Sequence, residues 1–295
     1  MTTAAETMSI SSKTSAIFKI VRPGNLLITA LGVALSGWLA RPAGGQWILV
    51  VLTMLAASCV AASGNAINDV FDLEIDRHNR PERPLPNGNL TLLEAKLVWG
   101  IGSISGIVIA LFINQLVLSI VVFSVSILFL YSMRFKRKAL IGNLIISGET
   151  GLALLVGAAA LDTPAAGMIP AEFAFLATLA REIVKDVEDI EGDRKVEAMT
   201  LPVKYGVGVS QFAAIVSMLL IVVLTIVVVR GAIYGPPFTA IAVILDAALL
   251  RMIYFFWKNP TKDRAAQIST ELKYVMLGGM VGIFLGSLTS SSLTH

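Results

Sequence analysis

Residues 65–76 read NAINDVFDLEID, and residues 185–193 read KDVEDIEGD. Wound as a helix, the first stretch sets Asp69, Asp72 and Asp76 on one face with Asn65 and Asn68 beside them, and the second repeats the spacing with Asp186, Asp189 and Asp193. Carboxylates crowded in this way repel one another at low effective dielectric, so a cation is needed to neutralise them. Hard divalent cations take oxygen ligands, and Mg2+ is usually held by one or two carboxylates together with substrate phosphates. The six aspartates therefore read as catalytic metal ligands, with Asn68 joining the first set, around the diphosphate of a substrate whose tail is hydrocarbon. Metal neutralisation makes diphosphate a good leaving group, and an allylic tail can then leave as a carbocation. The plainer alternative treats each stretch as a solvated helix end, where charge escapes the cost of burial. One cluster alone leaves the two readings level; two of identical spacing favour the metal site.

The segments that must carry these clusters are built for lipid. Of the 295 residues, 56% are hydrophobic and 15% charged, and the mean hydropathy is +0.79; a soluble domain of this length needs far more polar surface. Apolar stretches near the roughly 20 residues that cross a bilayer recur along the chain, the mark of an all-α, polytopic membrane protein. One integral-membrane domain is expected over residues 1–295, with Asp-rich helix ends at 65–76 and 181–193. Nine spans are expected, centred near residues 32, 56, 102, 123, 150, 178, 219, 246 and 281. Both Asp-rich stretches close an even-numbered span and so fall on one membrane face. That repetition suggests two pseudo-equivalent helical bundles sharing one site.

Basic residues gather on the same face. They are Lys13, Lys19 and Arg22, then Arg77, Arg80 and Arg83, then Arg134, Lys136, Arg137 and Lys138, then Lys185, Arg194, Lys195 and Lys204, and last Lys258, Lys262, Arg264 and Lys273; Arg41 and Arg230 lie opposite. The bias puts the N-terminus and the Asp-rich face in the cytoplasm, the C-terminus outside, and the protein in the cell membrane. It also accounts for the formal charge of +3 and the pI near 9.0, so no nucleic-acid partner is inferred from them. The first residues lack the apolar core and cleavage site of a signal peptide and are expected in the mature chain. A single cysteine, Cys59, excludes an internal disulfide, and two histidines give no zinc or haem constellation. Cys59 reads as a small packing residue and His78 as a loop residue.

NDVFDLEID resembles the first Asp-rich motif of the UbiA superfamily of intramembrane prenyltransferases, N-D-x-x-D-x-x-x-D, and KDVEDIEGD is similar to its second, D-x-x-D-x-x-x-D. RPGN at Arg22 to Asn25, the loop NRPERPLPNG, LYSMRFKRK and TLPVKYG extend the resemblance in order over nearly the whole chain. It implies a nine-helix bundle and Mg2+-dependent transfer of an isoprenyl group from its diphosphate to an acceptor. REIVKDVEDIEGD with NRPERPLPNG is most similar to the archaeal branch, in which geranylgeranyl diphosphate gives its chain to geranylgeranylglyceryl phosphate through an ether bond. Branches with aromatic acceptors share the first motif equally well. On this resemblance Arg22 and Asn25 mark a substrate-binding point where the first span enters the membrane. Tyr131 and Lys136 contact the diphosphate or steady the allylic carbon, Arg181 and Lys185 offset the acids, Arg83 and Lys204 contact phosphate, and Asn65 orients a ligand or lines the cavity. Ordinary alternatives stand beside these roles: an interfacial anchor for Arg22, a membrane-interface aromatic for Tyr131, a positive-inside flank for the RFKRK run.

Asn143, Ser147 and Thr150, beside Glu149, fall on one face of the fifth span and are expected to line a cavity, because an acid at that depth must face the bundle interior. Asp246 meets Arg251 only if the helix bends toward it and is otherwise without an assigned role, and Gly278, Gly282 and Gly286 read as a close helix-packing face. A transporter is the competing class, since repeats and intramembrane acids occur there too, but such acids lie near the midplane. A CDP-alcohol phosphotransferase would carry D-G-x-x-A-R, which is missing. With Cys59 replaced by serine, single cysteines placed in loops 77–88 and 190–204 are both expected to react with an impermeant maleimide from the cytoplasmic side. Labelling from opposite sides would break the shared-site reading.

Overall fold

A long uncharged run can satisfy its backbone in lipid by winding into a helix, and helices are what the computed structural model contains. It describes residues 10–290, without the side chains of residues 10–12, 78 and 79; the first nine residues and the C-terminal tail, with its expected outside location, lie beyond the described part. In chain order the helices are α1 (Ile10–Val21), α2 (Pro23–Leu39), α3 (Trp47–Phe71), α4 (Leu73–Asn79), α5 (Leu92–Leu111), α6 (Gln115–Leu130) and α7 (Ile141–Ala153), followed by α8 (Val156–Ala159), α9 (Ala165–Glu188), α10 (Ile190–Lys195), α11 (Leu201–Tyr205), α12 (Val207–Arg230), α13 (Pro236–Lys258) and α14 (Lys262–Leu288). A π-helical turn, Tyr131–Phe135, closes α6. The backbone of His78 belongs to α4, not to a loop.

Each of the nine expected centres falls inside one of these helices. By length and composition six described helices can cross a membrane, namely α3, α5, α6, α12, α13 and α14, and a seventh span results if α1 and α2, bent by 46° at Arg22, count as one. The remaining two expected spans fall short for physical reasons. Helix α7 has 13 residues, and α9 carries Glu172 and then Arg181, Glu182, Lys185, Asp186 and Glu188. The protein is a multi-pass helical membrane protein, with nine helical centres and six or seven spans that meet the requirement.

The chain divides into two compact units, residues 1–31 with 51–133 and residues 32–50 with 134–295. In the first, Ala16 and Ile20 of α1 pack with Ala66 of α3, Ala95 of α5 and Leu85 and Leu90 of the loop before α5. Thr91 and Glu94 cap α5 reciprocally, and Lys13 of α1 reaches Glu94 at 2.5 Å. In the second unit, Ile183 and Val184 of α9, Met218 of α12, Leu249 and Phe256 of α13 and Leu272 of α14 form the core.

The expected glycine face does pack. A Cβ on Gly278 would meet Leu245 at 3.1 Å, one on Gly282 would meet Ile241 at 3.1 Å, and one on Gly286 would meet Phe238 at 2.5 Å, which seats α13 on α14. The pairing of Asp246 with Arg251, which needed the helix to bend, does not form. Residues five apart on a helix diverge by about 140°, and Arg251 reaches Glu271 of α14 at 2.5 Å while Asp246 lies near the Thr225 hydroxyl of α12, which donates to the Ile221 carbonyl at 3.0 Å.

The tightest approach lies at α8, where a Cβ on Gly157 would stand 2.0 Å from the Val33 carbonyl oxygen and 2.9 Å from the Gly37 nitrogen. Backbone cannot yield as a side chain can. Gly157→Ala is expected to destabilise the protein by about 3 kcal/mol, read as a lower melting midpoint in detergent. Gly148→Ala, with nothing within 4 Å, should leave the midpoint unchanged or slightly raised.

Candidate functional site

The sequence repeat is also a backbone repeat. Helix α3 ends at Phe71 and α4 resumes at Leu73, leaving Asp72 at the joint with φ −89° and ψ −3°. Helix α9 ends at Glu188 and α10 resumes at Ile190, leaving Asp189 at the joint with φ −93° and ψ 5°. Backbone hydrogen bonds continue through both: Asp72 N–H to Asn68 at 3.0 Å and Asp76 N–H to Asp72 at 2.8 Å, Asp189 N–H to Lys185 at 2.9 Å and Asp193 N–H to Asp189 at 3.0 Å. The central aspartate of each motif occupies the sparsely allowed bridge region, with the first and last aspartates carried on the helices either side.

In the first unit the three carboxylates are nearly sealed, Asp69, Asp72 and Asp76 being 4, 7 and 5% exposed. An isolated charge in such a place is costly unless paired. Arg22 donates to Asp69 Oδ1, and Arg83 Nη1 donates to Asp76 Oδ2 at 2.5 Å and lies 3.3 Å from Asp69 Oδ1. Asn68 Nδ2 donates to Asp72 Oδ2 at 2.9 Å. Arg22 arrives from the bend between α1 and α2 at φ 55°, a region that disfavours any residue with a side chain. Asn65 pegs that bend by donating Nδ2 to the Val21 carbonyl at 2.8 Å. Arg83 arrives on the proline-rich loop whose Leu85 and Leu90 are buried. Asn65 thus spends its amide on α1, and Arg83 acts as a counter-ion to two aspartates.

In the second unit the acids have neutral hydrogen-bond donors. Asn143 Nδ2 of α7 donates to Asp186 Oδ2 at 2.9 Å, Thr200 Oγ1 donates to Asp193 Oδ2 at 2.9 Å, and Asp189 is exposed. Burial pushes the Asp193 carboxyl up; the Thr200 hydrogen bond opposes this, Asp189 adds to it, and the charges of Lys136 and Lys185 pull it down. Lys136 is brought there because the loop after α6 joins the loop before α11, with Met199 N–H donating to the Arg137 carbonyl at 3.0 Å. Arg181 pairs with Glu182 at 2.5 Å instead of offsetting an aspartate, and its Nε is buried without a partner. Lys204 is exposed, over the Tyr205 ring at 4.9 Å. Asn25 is exposed on the first turn of α2, and Tyr131 is half-buried in the π-helical turn. Of the expected cavity-lining residues, Asn143 reaches an acid, whereas Ser147 and Thr150 bond to carbonyls of their own helix.

Among the described residues no three Asp, Glu, His or Cys side chains converge to hold a metal by themselves. The donor set is nonetheless one of hard carboxylate oxygens, and Mg2+ characteristically completes its shell with substrate phosphates and water around one or two carboxylates. The aspartates fit that ion. Sequence reasoning missed Thr200, Glu182 and the Asn143 partnership. Thr200 alone had a local signal, as the residue before the Leu-Pro that starts α11.

Apolar helices and a pair of acid-bearing helix joints define a multi-pass membrane protein with two helix ends of matching aspartate spacing and backbone. The UbiA prenyltransferase family matches residues 26–277, and the chain belongs to that family; it is a prenyltransferase. It is 38% identical over 275 residues to a Methanopyrus kandleri protein named digeranylgeranylglyceryl phosphate synthase, covering 92% of this chain and 99% of that one. A Methanococcus aeolicus protein of the same name is 32% identical over 271 residues, with 92% and 96% covered. A solved structure described as digeranylgeranylglyceryl phosphate synthase in membranes matches with a TM-score of 0.82 at 33% identity, covering 94% of this chain and 99% of that one. A UbiA homologue from Archaeoglobus fulgidus, bound to GPP and Mg2+, matches with a TM-score of 0.67 at 20% identity over 91% of this chain and 99% of that one, a likeness of fold.

Arg83→Met leaves Asp69 and Asp76 short of a counter-charge, and breaking a buried pair in this way costs about 3 kcal/mol. A lower melting midpoint in detergent is the expected readout. Arg77→Met, which removes an exposed pair with Glu74, should change stability by less than about 1 kcal/mol.

Proposed function

We propose that the protein transfers the geranylgeranyl group of geranylgeranyl diphosphate to geranylgeranylglyceryl phosphate, forming an ether, with Mg2+ as cofactor and the reaction on the cytoplasmic face of the cell membrane. The observation that carries this reading is the pair of aspartate-centred helix joints of matching backbone, in a chain 32 and 38% identical over most of its length to relatives bearing the synthase name. In the reaction the bond from the allylic carbon to diphosphate breaks, the glycerol hydroxyl oxygen bonds to that carbon, and inorganic diphosphate leaves while the hydroxyl proton passes to water.

When bound, Mg2+ neutralises charge that develops on the departing diphosphate. Asp186, Asp189 and Asp193 offer it carboxylate oxygens with little internal compensation, and Asn68, Asp69, Asp72 and Asp76 offer the other set. Asn143 and Thr200 orient Asp186 and Asp193. Lys136 and Lys185 supply cationic donors toward phosphate oxygens, and Arg22 and Arg83 balance the first set while keeping further N–H groups to donate. Arg181, Lys204, Asn25 and Tyr131 belong to the same substrate-binding set, with Asn65 acting through the bend that carries Arg22.

The test is turnover by purified protein in detergent with Mg2+, geranylgeranyl diphosphate and a panel of glycerol-phosphate and aromatic acceptors, with products identified by mass spectrometry. An ether of geranylgeranylglyceryl phosphate is expected, and Asp72→Ala and Asp189→Ala should each reduce turnover about a hundredfold or more without unfolding the protein. An aromatic C-prenyl product with no use of the glycerol phosphate would overturn the acceptor. Near-normal turnover in either variant would overturn the two-cluster assignment.

A further inference from the structure

Helices α13 and α14 meet in a hairpin whose chemistry the prenyl-transfer reaction does not use. Between residues 251 and 274 it carries Arg251, Lys258, Lys262, Arg264 and Lys273 against Asp263 and Glu271. The arrangement of two of these cations is specific. Lys258 hydrogen-bonds the Tyr254 hydroxyl and holds its ammonium 4.4 Å from the Tyr254 ring centroid. The Tyr254 and Phe255 rings meet edge to face at 5.3 Å, and the Arg264 guanidinium lies 5.0 Å from the Phe255 centroid, steadied by Gln267 at 2.9 Å. The four side chains form one ladder of cation, ring, ring and cation. Arg251 is paired with Glu271, but Lys258 and Arg264 are positioned by uncharged groups, so their charge is fixed in place and not cancelled.

The residues around the ladder also have the pattern of a membrane surface. Gln211, near the start of α12, donates to the carbonyls of Phe256 at 2.5 Å and Trp257 at 3.1 Å, which ties the hairpin to the end of this unit where α11 gives way to α12. Tyr254 and Trp257 are 52 and 64% exposed, and below them on the same helix Leu250, Ile244 and Val243 face outward. Amphipathic aromatics above an apolar helix face are the signature of the lipid headgroup level, and fixed cations at that level attract anionic headgroups.

We propose that the Lys258–Tyr254–Phe255–Arg264 ladder is a binding site for the phosphate headgroup of an anionic membrane lipid, with the lipid chains lying along the outer face of α13. Lys258 and Arg264 supply the fixed charges that draw the headgroup phosphate to the ladder, and Trp257 packs on the glycerol and upper chain region. The site lies on the hairpin, apart from both aspartate joints, and stands whether or not the acceptor assignment above holds.

Native mass spectrometry of the detergent-purified full chain, titrated with dioleoylphosphatidylglycerol or with zwitterionic dioleoylphosphatidylcholine, tests it. The protein is expected to retain the anionic lipid preferentially, and Lys258→Gln with Arg264→Gln should reduce that retention about fivefold or more without changing retention of the zwitterionic lipid. The charge-keeping pair Lys258→Arg with Arg264→Lys should preserve the preference. Lys96→Gln with Arg230→Gln, which removes two exposed positive charges elsewhere, should also preserve it. Unchanged anionic-lipid retention in the first variant, or an equal loss in the Lys96 and Arg230 variant, would overturn the site.

Discussion

Three carboxylates within eight residues persist at the end of a long apolar helix because guanidinium groups from elsewhere in the chain are brought to them. Much of the first unit can be understood from that one requirement. Asp69 calls for a partner on each side, so the chain bends at Arg22 into a backbone conformation it would otherwise avoid. The loop after α4 must also fold back and bury Leu85 and Leu90 to place Arg83. Asn65 and the Lys13–Glu94 bridge then hold α1 where the bend needs it. Removing the acids would leave two cations, a strained bend and an interior asparagine with no common purpose.

The second unit reaches the same backbone joint with a different electrostatic solution. An amide and a hydroxyl steady Asp186 and Asp193, and neutral donors orient a carboxylate without cancelling its charge. A guanidinium in salt-bridge contact does both. The two joints are therefore alike in shape and unlike in residual charge, which gives each a different readiness to accept a cation.

What could be read from the sequence was periodic or local. Uncharged runs gave the nine helical centres and the glycine repeat gave the α13–α14 seat, whereas the identical i, i+3, i+7 spacing of the acids, expected on continuous helix faces, runs across a helix joint in both places. What could not be read depends on distant approach or on a side chain's exact exit from its helix. Asn143 and Asp186 are 43 positions apart, and nothing in IGNL or KDVE signals that they meet. Arg181 looked suited to the aspartates by spacing, yet its guanidinium turns to the adjacent Glu182. Arg251 is similar: a helix cannot turn it toward Asp246, and Glu271 on the neighbouring helix is within reach. Hydropathy placed a span near residue 150 without revealing that the helix stops at Ala153.

That early stop bears on how the protein meets its solvent. With 13 residues, α7 is about 20 Å long, well short of a hydrocarbon core of roughly 30 Å. The turn beyond it, around Leu154 and the four-residue α8, is covered by protein, with Val156, Ala158 and Ala159 sealed from the surface, and Gly157 locks it against α2. The near end of α7 carries Asn143 and its hydrogen bond to Asp186. A helix pinned at one end and bonded to an acid at the other cannot tilt to follow a thicker leaflet. Hydrophobic mismatch must instead be absorbed by the surrounding lipid, whose leaflets have to thin where they meet this helix.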